Sequence, residues 1–258
     1  MPELYFSSTL MWPASLEDLF RTAYENGFAG VEFWAQQFAV KGYSVKDFVK
    51  MLSIYPLKTM VHSFSWDLNL ASLNDEIREA SIRETLKGID LTATLGGFEI
   101  TVHPGKRTLD TEPEVYYERL RNSLVEISRY AKERHVNVSL EIMEKAKKEF
   151  VVSIEALKQL TGNLFNEFFY TLDIAHCDQE EIIFTSLASL DRISKLHVSN
   201  RKGKILHTPL RKGDYKLDKL LPRLSNYKLP LVIEGFDDDN EFWILKDNIK
   251  FLKENGVL

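Results

Sequence analysis

Read for the spacing of its apolar and polar positions, the chain repeats one pattern eight times: a short β-rich run, a loop, then a longer stretch of helical periodicity. The strand-like runs are Leu4–Ser8, Gly30–Trp34, Leu57–His62, Phe98–Val102, Asn137–Ile142, Phe168–Asp173, Ile193–Val198 and Leu229–Glu234. Several are apolar almost throughout, as in Leu231-Val232-Ile233, which is the mark of a strand covered on both faces. Glu76–Leu95 and Glu114–Arg134 predict the longest helices. In the last helix Phe242, Leu245, Ile249 and Leu252 share one face, with Asp238 or Asp239 available as the N-cap. Strands alternating with helices require a parallel sheet. Eight units in 258 residues give about 32 residues each, the size of a (β/α)8 barrel. A doubly wound sheet usually carries a Gly-rich phosphate loop after its first strand, and Ser7-Ser8-Thr9-Leu10 is no such loop. The expected fold is α/β, a (β/α)8 TIM barrel forming a single domain over residues 1–258.

Composition narrows this picture without altering it. Gly and Pro are sparse, at 12 and 8, and no segment reads as a linker. For a chain of 29.9 kDa the size scaling of folded monomers gives roughly 11,700 Å² exposed, so about 73% of the extended chain's surface is buried. Disorder and small disulfide scaffolds are thereby excluded. The net charge of −5 weighs against bulk polyanion binding. The single cysteine, Cys177, forms no internal disulfide and reads as a small packing residue. No apolar run approaches the ~20 residues of a membrane span. Met1-Pro2-Glu3-Leu4 lacks the basic stretch of a signal peptide. A cytoplasmic protein with no membrane partner is expected.

The candidate chemistry lies in where the histidines fall. His62, His103, His176 and His197 sit at or just past the C-terminal ends of predicted strands, and His207 lies in the loop after the seventh. His135 instead precedes a strand, at the opposite face, and reads as a surface residue. Glu141, Asp173 and Glu234 share the address of the five histidines. Eight such groups crowded in one partly buried rim would repel or desolvate one another. A divalent cation resolves the conflict. A mixed His and carboxylate set favours Zn²⁺, Mn²⁺, Fe²⁺ or Co²⁺ over Ca²⁺ or Mg²⁺.

Taken together, Gly27-Phe28-Ala29-Gly30-Val31-Glu32, Val61-His62-Ser63-Phe64-Ser65-Trp66-Asp67-Leu68-Asn69-Leu70-Ala71-Ser72, Val102-His103-Pro104-Gly105, Leu140-Glu141, Leu172-Asp173-Ile174-Ala175-His176, Leu196-His197-Val198-Ser199-Asn200, His207-Thr208-Pro209-Leu210-Arg211-Lys212-Gly213 and Ile233-Glu234-Gly235 resemble the xylose-isomerase-like barrel superfamily. That superfamily includes sugar (phosphate) isomerases and epimerases and also endonuclease IV. Its epimerase branch implies one metal held by Glu141, Asp173, His197 and Glu234, with the two glutamates as the acid/base pair. Its endonuclease branch implies further ions on His62, His103, His176 and His207, together with an aspartate two positions before the last histidine. Here that position is Ile205. The first strand also lacks the histidine-serine opening of the endonuclease branch.

The resemblance leads to a metal-dependent isomerase or epimerase of a small sugar, ketose or sugar phosphate, using one or two ions per chain. Zn or Mn is favoured, with Co, Fe or Mg as alternatives. Glu141 and Glu234 are expected to be catalytic. The metal ligands are Glu141, Asp173, His197, Glu234, His62 and His103. His176, His207, Arg211, Trp34 and Trp66 are expected to contact substrate. Arg201, Lys202, Lys204, Arg211 and Lys212 crowd one loop and offer either a phosphate contact or a solvated surface. The competing readings are an endonuclease IV-like phosphodiesterase, with DNA as partner, and a non-catalytic sugar-binding barrel. Homo-oligomerisation stays open.

Overall fold

Eight parallel strands close on themselves in the computed structural model, which describes residues 2–110 and 113–258. They are β1 (Leu4–Ser7), β2 (Gly30–Trp34), β3 (Lys58–His62), β4 (Glu99–Val102), β5 (Asn137–Ile142), β6 (Phe169–Asp173) and β7 (Ile193–Val198). The eighth, β10 (Leu231–Ile233), follows an antiparallel hairpin of β8 (Asn200–Lys202) and β9 (Ile205–Thr208). β10 pairs β7 on one side and β1 on the other, which seals the barrel. Every predicted strand is present, and the differences lie at their ends. Pro230, which has no N–H to pair, keeps the last strand from starting at Leu229. The hairpin was not foreseen; Gly203 takes a positive φ of 58° at its tip.

The helices form the outer layer. They are α1 (Leu16–Glu25), α2 (Ala35–Val40), α3 (Val45–Ile54), α4 (Asp75–Thr94), α5 (Glu114–Glu133), α6 (Ile154–Thr161), α7 (Glu180–Ser189), α8 (Leu217–Ser225) and α9 (Trp243–Glu254). In α1, Leu16, Leu19, Phe20 and Ala23 are buried at three- and four-residue spacing, and Ser15 caps the start by accepting from the Asp18 N–H. α9 corrects one expectation. Neither Asp238 nor Asp239 caps it; the Asp237 carboxylate accepts from the Ile244 N–H at 3.1 Å. Phe242, in the left-handed region at φ 50°, turns the preceding segment back so that the earlier aspartate meets the helix start. Among the described residues no helix is long and apolar enough to cross a membrane.

Alternation along the strands decides what the barrel encloses. Side chains two apart share a face, so Ser139 precedes Glu141, Thr171 precedes Asp173 and Lys195 precedes His197 on the inward side. The interior holds a small apolar cluster of Tyr5, Met60 and Val232. Around it are the buried polar groups Glu32, Glu99, Thr101, Ser139, Thr171 and Lys195. Barrels of this architecture are usually filled by Val, Ile and Leu. Gly30 shows how tight the packing is: a Cβ there would meet the Lys58 carbonyl oxygen at 2.0 Å.

Candidate metal centre

All eight rim residues singled out in the sequence come together at the C-terminal mouth. Glu141, Asp173, His197 and Glu234 form one group in which a ligand-type atom from each lies within 4.8 Å of the others. His62, His103 and Glu141 form a second such group, and Asp173, His176 and His207 a third. Glu141 Oε2 is 3.3 Å from His103 Nε2, 3.5 Å from His62 Nε2 and 3.7 Å from His197 Nδ1. His197 Nδ1 lies 2.8 Å from Glu234 Oε2. Asp173 Oδ2 is 3.6 Å from His176 Nε2 and 3.7 Å from His207 Nδ1. His135 is exposed, in the loop that enters β5 from the barrel end opposite the mouth.

The donor chemistry of the cluster fits a cation. His62 Nδ1 lies 3.0 Å from the Ser63 carbonyl and His176 Nδ1 lies 2.9 Å from the Ile142 carbonyl. A carbonyl only accepts, so both rings donate from Nδ1, and in the neutral ring each Nε2 lone pair faces the carboxylates. Asp173 is aimed likewise: its Oδ1 accepts from the Ala175 N–H at 2.6 Å, which leaves Oδ2 turned inward. His62 Nε2, Glu141 Oε2, Asp173 Oδ2, Glu234 Oε2 and both His197 ring nitrogens are buried without an aligned hydrogen-bond partner. Buried acceptors facing one another need either protons or a metal.

Electrostatics give the same reading. Burial pushes Glu141 and Glu234 up, but the imidazoles of His103 and His197 outweigh it for Glu141, as do His197 and His207 for Glu234, and both end well below the usual carboxylate range. Asp173 is pushed up to about 6 by burial, against the pull of His176 and His207. Burial lowers His176, yet Asp173 and Glu141 raise it to about 9. His197 is likewise carried well above its ordinary value by Glu234, Glu32 and Glu141 despite its burial. Carboxylates and imidazoles that perturb one another this strongly in a cleft mark a functional site.

Above the cluster opens a cavity of about 650 Å³, lined by Glu141, Glu234, His103, His176 and His207 at its floor and by Trp34, Trp66 and Phe236 at its wall. Trp34 stacks flat on His62, with ring centroids 3.9 Å apart, so it packs a candidate ligand as well as facing the cavity. Trp66 is 40% exposed and leans on Trp12 and Phe236. His207 arrives on β9 with φ 54°, a strained conformation for a non-glycine residue. The loops carrying His62 and His103 are stitched by Asn69, whose side chain accepts from the Lys106 N–H and donates to the Lys106 carbonyl. Gly105, at φ 96°, permits this: a Cβ would fall 2.7 Å from Asn69 Oδ1.

Arg211 is the expected site residue that the structure places elsewhere. The Leu210 N–H is held by Asn248, which turns Arg211 onto α9, where it pairs with Asp247 at 2.9 Å and Glu254 at 3.0 Å. It does not line the cavity. Arg201 is also committed, donating to the Ala175 and Cys177 carbonyls and pairing with Asp178. Lys106 does line the cavity, but its ammonium pairs with Glu149 at 3.0 Å. Three further residues escaped the sequence reading. Glu144 lines the cavity wall, and Glu32 and Lys195 lie beneath His197.

The comparisons with known proteins agree with this architecture. The sequence model for the xylose isomerase-like TIM barrel matches residues 20–255. No match is found among curated protein sequences. Among solved structures, a D-tagatose 3-epimerase-like protein superposes with a TM-score of 0.82 at 20% identity, covering 98% of this chain and 96% of that one. The 3-keto-D-glucoside 4-epimerase of E. coli gives a TM-score of 0.80 at 16% identity over 100% of both chains. The IOLI protein, solved with a bound zinc atom, gives 0.78 at 17% identity over 99% and 96%. The chain belongs to the xylose isomerase-like TIM barrel family.

Proposed function

We propose that this protein is a divalent-metal-dependent isomerase or epimerase acting on a small, unphosphorylated polyhydroxy carbonyl compound, a ketose or keto-sugar. The observation that carries the reading is the convergence of Glu141 and Glu234, each with a buried, unpartnered oxygen, on the floor of one cavity. Glu141, Asp173, His197 and Glu234 would hold the ion, with zinc or manganese the best match to the donor set. When bound, the metal supplies Lewis acidity beside the substrate carbonyl. Glu141 comes from β5 and Glu234 follows β10, with β6 and β7 between them, so the two carboxylates approach from different sides of the mouth. One removes the proton on the carbon next to the carbonyl; the other returns a proton to the opposite face. His103 and His176 orient substrate hydroxyls, and Trp34 and Trp66 cover a C–H face of the sugar. The preponderance of carboxylates in the lining supports a substrate without phosphate. The lining carries Asp67, Glu141, Glu144 and Glu234, against one lysine already paired. The similarity to proteins named as sugar epimerases supports the same reading.

A second reading rests on the His62–His103–Glu141 and Asp173–His176–His207 groups, which would suit a multinuclear centre and phosphodiester hydrolysis. Against it, Ile205 stands 65% exposed where the endonuclease branch has an aspartate, and the cavity lining carries four carboxylates and one paired lysine where a DNA backbone would need cations. A single comparison separates the two. The protein loaded with Mn²⁺, Co²⁺ or Zn²⁺ is offered a panel of ketoses and keto-glycosides and, separately, duplex DNA with an abasic site. Epimerised or isomerised sugar, lost on chelation, is the expected result. Efficient metal-dependent nicking would overturn it.

A further inference from the structure

Beneath the ligand-type atoms lies a charged floor that the proposed reaction leaves unused. Glu32, Glu99 and Lys195 are all buried inside the barrel, at 0%, 2% and 0% exposure. Lys195 Nζ donates to Glu99 and sits 3.6 Å from Glu32 Oε1. The Thr101 hydroxyl donates to that same Glu32 oxygen at 2.7 Å. The other oxygen, Oε2, is 3.0 Å from His197 Nε2, and the far side of that ring, Nδ1, faces Glu234. Apolar residues already fill part of this interior, at Tyr5, Met60 and Val232. Buried ion pairs are commonly no more stabilising than apolar residues of like size. Stability therefore gives no reason for the charge here, whereas the position of Glu32 behind His197 does. We propose that Glu32 is the positioning residue of the metal centre. Its Oε2 lies 3.0 Å from His197 Nε2, close enough though not aligned as a hydrogen bond, and is placed to take the Nε2–H when Nδ1 turns to an ion, which would fix the ring's tautomer. Lys195, tethered by Glu99, and Thr101 in turn fix Glu32. A carboxylate behind a ligating imidazole also raises its basicity, and losing such a partner costs 10–100-fold in metal affinity.

The inference rests on the metal reading proposed above, and its test separates the two. Co²⁺ and Zn²⁺ affinities are measured by chelator competition on the full-length protein, with the visible absorption of the Co²⁺ form recorded alongside. Glu32→Gln is expected to weaken Co²⁺ binding about 10–100-fold and to shift the absorption band. Lys195→Met should weaken it similarly. The double variant should bind no worse than the weaker single one, because both residues act through one ring. A purely structural role would leave the band in place and make the losses add. Should Glu32→Gln fail to fold, Thr101→Val, which deletes the hydroxyl held by Glu32, carries the test with an expected loss of about 3–10-fold. Glu141→Ala is the control. If it loses the metal while Glu32→Gln and Thr101→Val bind within twofold of wild type, the positioning role is refuted and the metal reading stands. If wild type binds neither ion, or Glu141→Ala binds as wild type does, both fall.

Discussion

Replacing Glu141 by alanine strikes one of the two carboxylates, with Asp173, that are shared between two of the three ligand groups. Its Oε2 lies 3.3–3.7 Å from His103, His62 and His197, and its group with Asp173, His197 and Glu234 spans no more than 4.8 Å between ligand atoms. A unit charge pair at ~4 Å and an effective dielectric of ~20 is worth about 4 kcal/mol. At 1.4 kcal/mol per decade this is roughly a thousandfold in affinity. Divalent charge increases the Coulomb gain and desolvation offsets part of it, so about three decades is the expected loss for Zn²⁺ or Mn²⁺. The wild-type protein, dialysed against metal and desalted, should retain ion by elemental analysis, and Glu141→Ala should not. Competition against a chelating dye supplies the ratio. Affinity within tenfold of wild type would refute the assignment of Glu141 as a ligand.

The remaining expectations are briefer. In the metal-free protein, His176 is carried to about 9 from an ordinary 6.5, because Asp173 and Glu141 outweigh its burial. A folded value above the unfolded one means stability fully present below pH ~6.5 and lost as pH rises toward ~9. The chelated protein should therefore melt at falling temperature across that window, and added metal should flatten the slope; calorimetry showing a flat or rising profile without metal would contradict this. Arg211→Ala should leave kcat/KM unchanged and cost less than ~1 kcal/mol, since it breaks only partly exposed pairs with Asp247 and Glu254. A large fall in kcat/KM would return Arg211 to the site. Cys177, whose thiol burial drives up to about 12, should resist a thiol reagent at pH 8 in the native protein and react only on unfolding.

Most of the rim was legible in the sequence because two signals coincided there. Apolar runs marked the strands, and ligand-type residues stood at their C-terminal ends, where a barrel gathers them whatever the helices do. The charged floor was not legible. Glu32 and Lys195 sit in the middle of strands, and only closure of the barrel turns those positions into neighbours across its interior. The spacing of Lys195 two residues before His197 was a usable signal, since it places both on one face. Arg211 misled in the reverse way. It lies four residues from His207 in the chain, yet the Leu210 anchor to Asn248 sends it to the outer helix. The α9 cap failed for a comparable reason: the left-handed turn at Phe242 depends on tertiary packing and selects Asp237 over its neighbours. Trp34 was read as a wall for substrate, and the structure adds its stacking on His62.

The central claim is that Glu141 and Glu234 move a proton at the carbon beside a sugar carbonyl in a metal-loaded site. The most direct measurement follows that proton by NMR, with the Mn²⁺- or Zn²⁺-reconstituted protein incubated in deuterated water with a panel of ketoses and keto-glycosides. Deuterium is expected at the carbon next to the carbonyl of at least one sugar, together with its epimer or isomer. Chelation should abolish the exchange, and Glu234→Gln should slow it 10²-fold or more while metal content falls far less. Exchange that persists in Glu234→Gln at the wild-type rate, or a metal-loaded protein that exchanges no sugar of the panel while nicking abasic-site DNA, would contradict the account.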